Sequence, residues 1–86
     1  MNYRTSPDAL VAHLNGETVV LHGRTHEYYR LNETAQEIWR QLEQGVAIDG
    51  IVDHLTNVFD VEEADARAQT LHLCNDLIAA QLIESA

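Results

Sequence analysis

The fold is most constrained by His26–Trp39, fourteen residues that read His-Glu-Tyr-Tyr-Arg-Leu-Asn-Glu-Thr-Ala-Gln-Glu-Ile-Trp. The aromatic and branched run Tyr28–Leu31 suits a pleated strand. Asn32 follows it, and an asparagine oxygen accepts from the free amides that open a helix. Glu33 then stands where the helix dipole favours a carboxylate. Ala35, Ile38, Trp39 and Leu42 recur at three- and four-residue steps and make one apolar face. A strand must therefore pass directly into an amphipathic helix here.

Upstream, Leu10–Leu14 reads as a first strand, with Leu10, Ala12 and Leu14 on one face. Glu17–His22 reads as a second, with Val20 facing away from Val19 and Leu21. Asn15-Gly16 between them is a tight-turn pair, because both residues tolerate positive φ. Gly23-Arg24-Thr25 makes the next turn, and His26–Leu31 is the third strand. Three short strands joined by tight turns predict an antiparallel meander. Met1–Asp8, with Ser6-Pro7 and no periodicity, reads as a flexible arm.

Three helices follow. Helix one spans Glu33–Gln44 and stops at Gly45, a glycine placed to adopt a left-handed cap. Helix two spans Ile48–Val58 on an apolar face of Ile48, Ile51, Val52, Leu55 and Phe59. Gly50 inside it costs about 1 kcal/mol against alanine, which points to a close approach by another element. Helix three spans Glu62–Ile83, with Asp60 and Glu63 spaced as a capping box. The expected class is α+β: a three-stranded antiparallel sheet followed by three helices, winged-helix-like, in a single domain over residues 1–86.

Helix three has two apolar lines at 100° per residue. One is Leu71, Ile78 and Leu82; the other is Leu73 and Leu77. Arg67, Thr70, Cys74 and Gln81 lie between them, and Asp65, Gln69, His72 and Asp76 form the polar face. A surface helix needs one stripe to dock, so the second could line a groove. In a meander the third strand is an edge, and its free N–H and C=O groups can template an added strand. Strand and helix would then enclose a cleft for an extended peptide.

Composition excludes more than it assigns. The 86 residues carry a net charge of -9 and no lysine, which opposes binding to a phosphate backbone. No apolar run is long enough to span a bilayer, and no secretory signal is present, so a cytoplasmic location is expected. Cys74 is the only cysteine, which rules out an intrachain disulfide. Neither a phosphate loop nor a serine–histidine–acid constellation is visible. The histidines His13, His22 and His26 fall short of the three or four convergent ligands that a metal needs, so no metal, cofactor or catalytic residue is expected.

The run Tyr-Tyr-x-Leu-Asn-x-Thr-Ala-x-x-Ile-Trp at Tyr28–Trp39, then Gly45, the helix Ile48–Leu55, the segment Phe59-Asp60-Val61 and a long acidic-start helix together resemble the PqqD-like proteins, also called RiPP recognition elements. The resemblance extends from Leu10 to Ile83. It implies a non-catalytic protein that binds the leader segment of a ribosomally made precursor peptide. The leader would add to the third strand and rest on the third helix, while modifying enzymes act on the rest of the precursor. The positions implied are His26, Glu27, Tyr28, Tyr29, Arg30 and Leu31 on the strand, with Arg67, Thr70, Leu71, Cys74, Leu77 and Ile78 on the helix. A free-standing member of this kind serves a lasso-peptide pathway with a leader peptidase and a cyclase, or a radical-enzyme pathway such as that of pyrroloquinoline quinone. The paired tyrosines favour the lasso type. A monomer is expected, with a dimer through the free edge as the alternative. Outside the resemblance, two readings compete: a winged-helix DNA binder, which the charge opposes, and an adaptor that docks a protein through helix three alone.

Overall fold

A computed structural model describes residues 2–86. The strands are β1 (Tyr3–Thr5), β2 (Ala9–Leu14), β3 (Glu17–His22), β4 (Tyr28–Leu31) and β5 (Ile83–Ser85). The helices α1 (Glu33–Glu43), α2 (Ile48–Val58) and α3 (Glu63–Ala79) lie between β4 and β5. The antiparallel sheet β2-β3-β4 is the expected meander, with three helices after it. The class is α+β.

Local chemistry sets most of the boundaries. Asn15 and Gly16 both adopt positive φ, 52° and 81°, as a two-residue hairpin turn requires. Asn32 Oδ1 accepts from the Ala35 amide at 2.8 Å and opens α1. Gly45, at φ 75°, closes it. The Gly45 and Val46 amides donate to the Leu42 and Gln41 carbonyls, both at 3.0 Å, which is the paired bonding of a Schellman cap. Among the described residues no other element approaches Gly50: the atom nearest to an added Cβ, at 2.7 Å, is Cγ1 of Val46, four residues earlier in the turn that leads into α2.

Four further expectations need correction. Tyr3–Thr5 is a strand paired with Ile83–Ser85, where a flexible arm was expected. Such a short pairing has no alternation long enough to show in sequence. Second, α3 ends at Ala79 rather than Ile83. Gln81 takes φ 60°, and the Gln81 and Leu82 amides donate to the Ile78 and Leu77 carbonyls. This is the same cap as at Gly45, built without glycine. Leu77 and Leu82, both fully buried, supply the hydrophobic contact that accompanies it. Third, α3 starts after Glu62 with no side-chain cap, so Asp60 does not cap it.

Fourth, β4 begins at Tyr28 rather than His26. The His26 amide donates to the His22 carbonyl at 3.0 Å, and the His22 amide donates to the Glu27 carbonyl at 2.8 Å. His26 has φ 65°. Two residues thus oppose one, with the first left-handed, which defines a β-bulge. The His22 ring supports the turn: its Nδ1 accepts from the Arg24 and Thr25 amides at 3.1 and 3.2 Å.

The core lies between the sheet and the helices. Val20, Ile38, Leu42, Ile51, Val52, Leu55, Leu77 and Leu82 are completely or almost completely buried. On β3 only Val20 of the three central residues faces this core, while Leu10 and Leu14 of β2 lie exposed on the outer face. The register aligns Leu10 with Leu21 and Leu21 with Tyr28 on that outer side, and Val11 with Val20 and Val20 with Tyr29 on the inner side.

Candidate functional site

The third strand of the meander, β4, is an open edge. The bulge fixes which of its backbone groups are free. In an antiparallel ladder hydrogen-bonded and non-hydrogen-bonded pairs alternate. Because His22 bonds to Glu27, the next bonded pairs are Val20 with Tyr29 and Thr18 with Leu31. The N–H and C=O groups of Tyr28 and Arg30 therefore point away from β3, toward the open side. Side chains follow the pleat: Tyr28 and Arg30 lie on the outer face, Tyr29 and Leu31 on the inner.

Beside this edge runs a groove of about 560 Å³ between β4, the start of α1 and the middle of α3. Leu31, Ile38 and Leu73 form an apolar floor, and Glu33, Gln69 and His72 are on its rim. Tyr29 crosses from strand to helix, and its hydroxyl donates to Asp76 Oδ2 at 3.0 Å. Burial, then the hydrogen bond to Asp76 and the charge of that carboxylate, raise the Tyr29 pKa above its usual value. His72 Nε2 lies 3.5 Å from the same carboxylate oxygen. Arg30 is exposed, 3.8 Å from Glu17 across the sheet.

The strand residues expected at the site divide accordingly. Tyr29, Arg30 and Leu31 line the groove. Tyr28 is on the same edge, 60% exposed. His26 and Glu27 belong to the bulge that precedes the ladder.

None of the six helix residues lines this groove. Thr70, Cys74 and Leu77 are fully buried; the Thr70 hydroxyl is spent on the Ala66 carbonyl at 2.8 Å. Arg67 instead bonds Asp49 Oδ1 at 2.9 Å, beside the start of α2, and Leu71 lines the same recess. Ile78 borders a depression near His22 and Arg24. The groove is lined instead by Gln69, His72 and Leu73, and Asp76 reaches Tyr29. These are mostly the polar face that the sequence assigned to solvent. An apolar stripe was expected to line the groove, but α3 packs on the core through Ala66, Thr70, Leu73, Cys74 and Leu77, while Arg67 and Gln81 of the intervening strip stay at the surface. The available signal was the line Gln69, His72, Asp76, which runs beside Leu73 at helical spacing.

Cys74 offers no chemistry: burial pushes its thiol from 9.0 up to about 11. Among the described residues no three His, Cys, Asp or Glu side chains gather as metal ligands. None of the described helices is long and apolar enough to cross a membrane.

An open strand edge, a helix set alongside and a groove between them define a domain able to dock an extended peptide. The comparisons are consistent with that class. The family model described as coenzyme PQQ synthesis protein D (PqqD) matches residues 17–83. The chain belongs to the PqqD family. It is similar in structure to lasso peptide synthetase B1 complexed with the leader peptide, with TM-score 0.86 and 30% identity, covering 98% of this chain and 99% of that one. It is also similar to TbiB1 in complex with the TbiA(beta) leader peptide, with TM-score 0.85 and 26% identity, covering 96% of each. No curated protein gives a significant match.

Proposed function

We propose that this protein is a non-catalytic RiPP recognition element that captures the leader segment of a ribosomally made precursor peptide. The leader adds as a strand to β4, bonds to the backbone of Tyr28 and Arg30, and rests against α3. The protein then presents the precursor to modifying enzymes, a leader peptidase and a cyclase of a lasso-peptide pathway, in the cytoplasm. The observation that carries this reading is the open β4 edge, with two residues' backbone groups turned outward beside a groove. The two solved relatives support it, since both are leader-peptide complexes.

A quinone-pathway role is the second reading, favoured by the description of the matching family model. The lasso reading is preferred because its relatives match nearly the whole chain, 98% and 96% of it. The test is a fluorescence titration with the leader and core halves of precursor peptides encoded beside the gene. The leader half should bind and the core half should not. If neither half binds, the protein is not a leader-recognition element.

A further inference from the structure

Among the described residues, one hydrogen bond joins the edge strand β4 to α3: Tyr29 Oη to Asp76 Oδ2, 3.0 Å. It acts at one end of the groove. Gln69, His72 and Leu73 line the groove on the near side of Asp76, and no residue of α3 beyond Asp76 does so. The phenol ring therefore lies across the space between strand and helix like a bar. On the Leu31 side of this bar the groove stays open between polar walls, over a floor of Leu31, Ile38 and Leu73 that are themselves at most 5% exposed.

A strand added antiparallel to β4 meets this arrangement in a fixed pattern. Residues opposite Tyr28 and Arg30 exchange backbone bonds and point to the outer face. Residues opposite Tyr29 and Leu31 point inward, and they form non-hydrogen-bonded pairs, in which the side chains approach more closely. The inward residue opposite Tyr29 meets a ring already tied to α3. The inward residue opposite Leu31 meets the open groove.

Resting on the leader-binding reading, we propose that the Tyr29–Asp76 bar sets the register and size preference of the bound leader. It admits only a small side chain opposite Tyr29 and places a large one opposite Leu31, two residues away. Tyr29 is then a specificity-determining residue, and Asp76 is a positioning residue that acts through it. This also gives the polar face of α3 a role that burial alone does not explain.

The experiment is a size scan of each leader position, read as affinity for the wild type, Tyr29→Ala, Tyr29→Phe and Asp76→Asn, with each fold checked by circular dichroism. In the wild type, a bulky residue at one inward position should weaken binding roughly tenfold, the scale of overpacking a filled site. Tyr29→Ala should abolish that penalty and leave the outward positions unchanged. Tyr29→Phe, with its ring released from α3, should reduce the penalty. Asp76→Asn keeps an acceptor for the phenol and should preserve the wild-type profile. A wild type that binds leader with no size preference at either inward position overturns the proposal, as does a preference that survives Tyr29→Ala. A wild type that binds no leader shows itself in the first titration, and there the leader reading fails and this proposal with it.

Discussion

The substitution Arg30→Pro separates the two edges of β4. Proline removes a backbone N–H and fixes φ near −65°, which edge strands tolerate. The Arg30 N–H points to the open side, so its loss leaves the β3–β4 ladder intact. The ion pair with Glu17 is lost too, but both side chains are more than half exposed, and such pairs contribute about 0–1 kcal/mol. Folding stability should thus change little. Leader binding should suffer: one backbone bond worth about 0.5–1.5 kcal/mol disappears, and the leader carbonyl it served is left unpaired at a further cost of about 1–3 kcal/mol. A combined loss of about 1.5–4.5 kcal/mol is a weakening of at least about tenfold.

Two controls frame that number. Arg30→Ala removes the charge and keeps the N–H, so it should bind nearly as the wild type does. Tyr29→Pro removes a donor to β3 opposite the fully buried Val20 and should unfold much of the protein, whose total stability is of order 5–10 kcal/mol. The assay is urea denaturation followed by isothermal titration with leader peptide. A folded Arg30→Pro protein that binds leader like the wild type would refute strand addition at this edge. An unfolded Arg30→Pro beside a stable Tyr29→Pro would refute the ladder phase derived from the bulge.

Three further outcomes follow from local geometry. Gln81→Gly relieves a left-handed residue at the end of α3. Relief of about 1–2 kcal/mol, less about 0.5–1 kcal/mol for glycine's looser unfolded chain, should raise Tm by a few degrees in a thermal melt. Asn32→Ala deletes the acceptor for the Ala35 amide and should cost about 1 kcal/mol in urea denaturation. Cys74 has a thiol that folding keeps neutral, with its pKa raised from 9.0 to about 11. Its contribution is complete below pH 9.0 and is lost as pH rises through about 11, by about 2–3 kcal/mol. Tyr29, also raised, acts in the same direction. Denaturation curves from neutral to strongly alkaline pH should show this decline, and iodoacetamide should label Cys74 only in denaturant.

The meander and the first two helices were legible because their punctuation is local. Asn15-Gly16, Asn32 and Gly45 each announce a backbone conformation through their own chemistry, and α1 and α2 carry a single apolar face. The rest depended on tertiary context. The pairing of Tyr3–Thr5 with Ile83–Ser85 joins the two ends of the chain, which no window along the sequence contains. Gln81 ends α3 with no glycine to mark it, because burial of Leu77 and Leu82 offsets the left-handed cost. His26 likewise starts a bulge at a position where glycine is usual.

In the groove beside β4, the strand wall was readable in the sequence and the helix wall was not. Tyr28–Leu31 declares an edge strand by composition and order. For α3, hydrophobic patterning identifies what is buried, and Thr70, Cys74 and Leu77 accordingly lie in the core rather than on the groove wall. The residues that face β4 are polar, and polar helix residues carry no periodic mark that distinguishes a groove wall from a solvated face. Only the long-range bond from Tyr29 to Asp76 reveals which side of the helix the strand meets.

The most direct test is an amide NMR titration of isotope-labelled protein with its leader peptide, read together with hydrogen exchange. Strand addition predicts large shifts and new exchange protection at the Tyr28 and Arg30 amides, while Tyr29 and Leu31, already bonded to β3, gain little. Shifts should also appear at Gln69, His72 and Leu73 and be absent at Arg67 and Leu71. A saturating leader that leaves the Tyr28 and Arg30 amides unprotected, or perturbs only the far side of α3, would contradict the account.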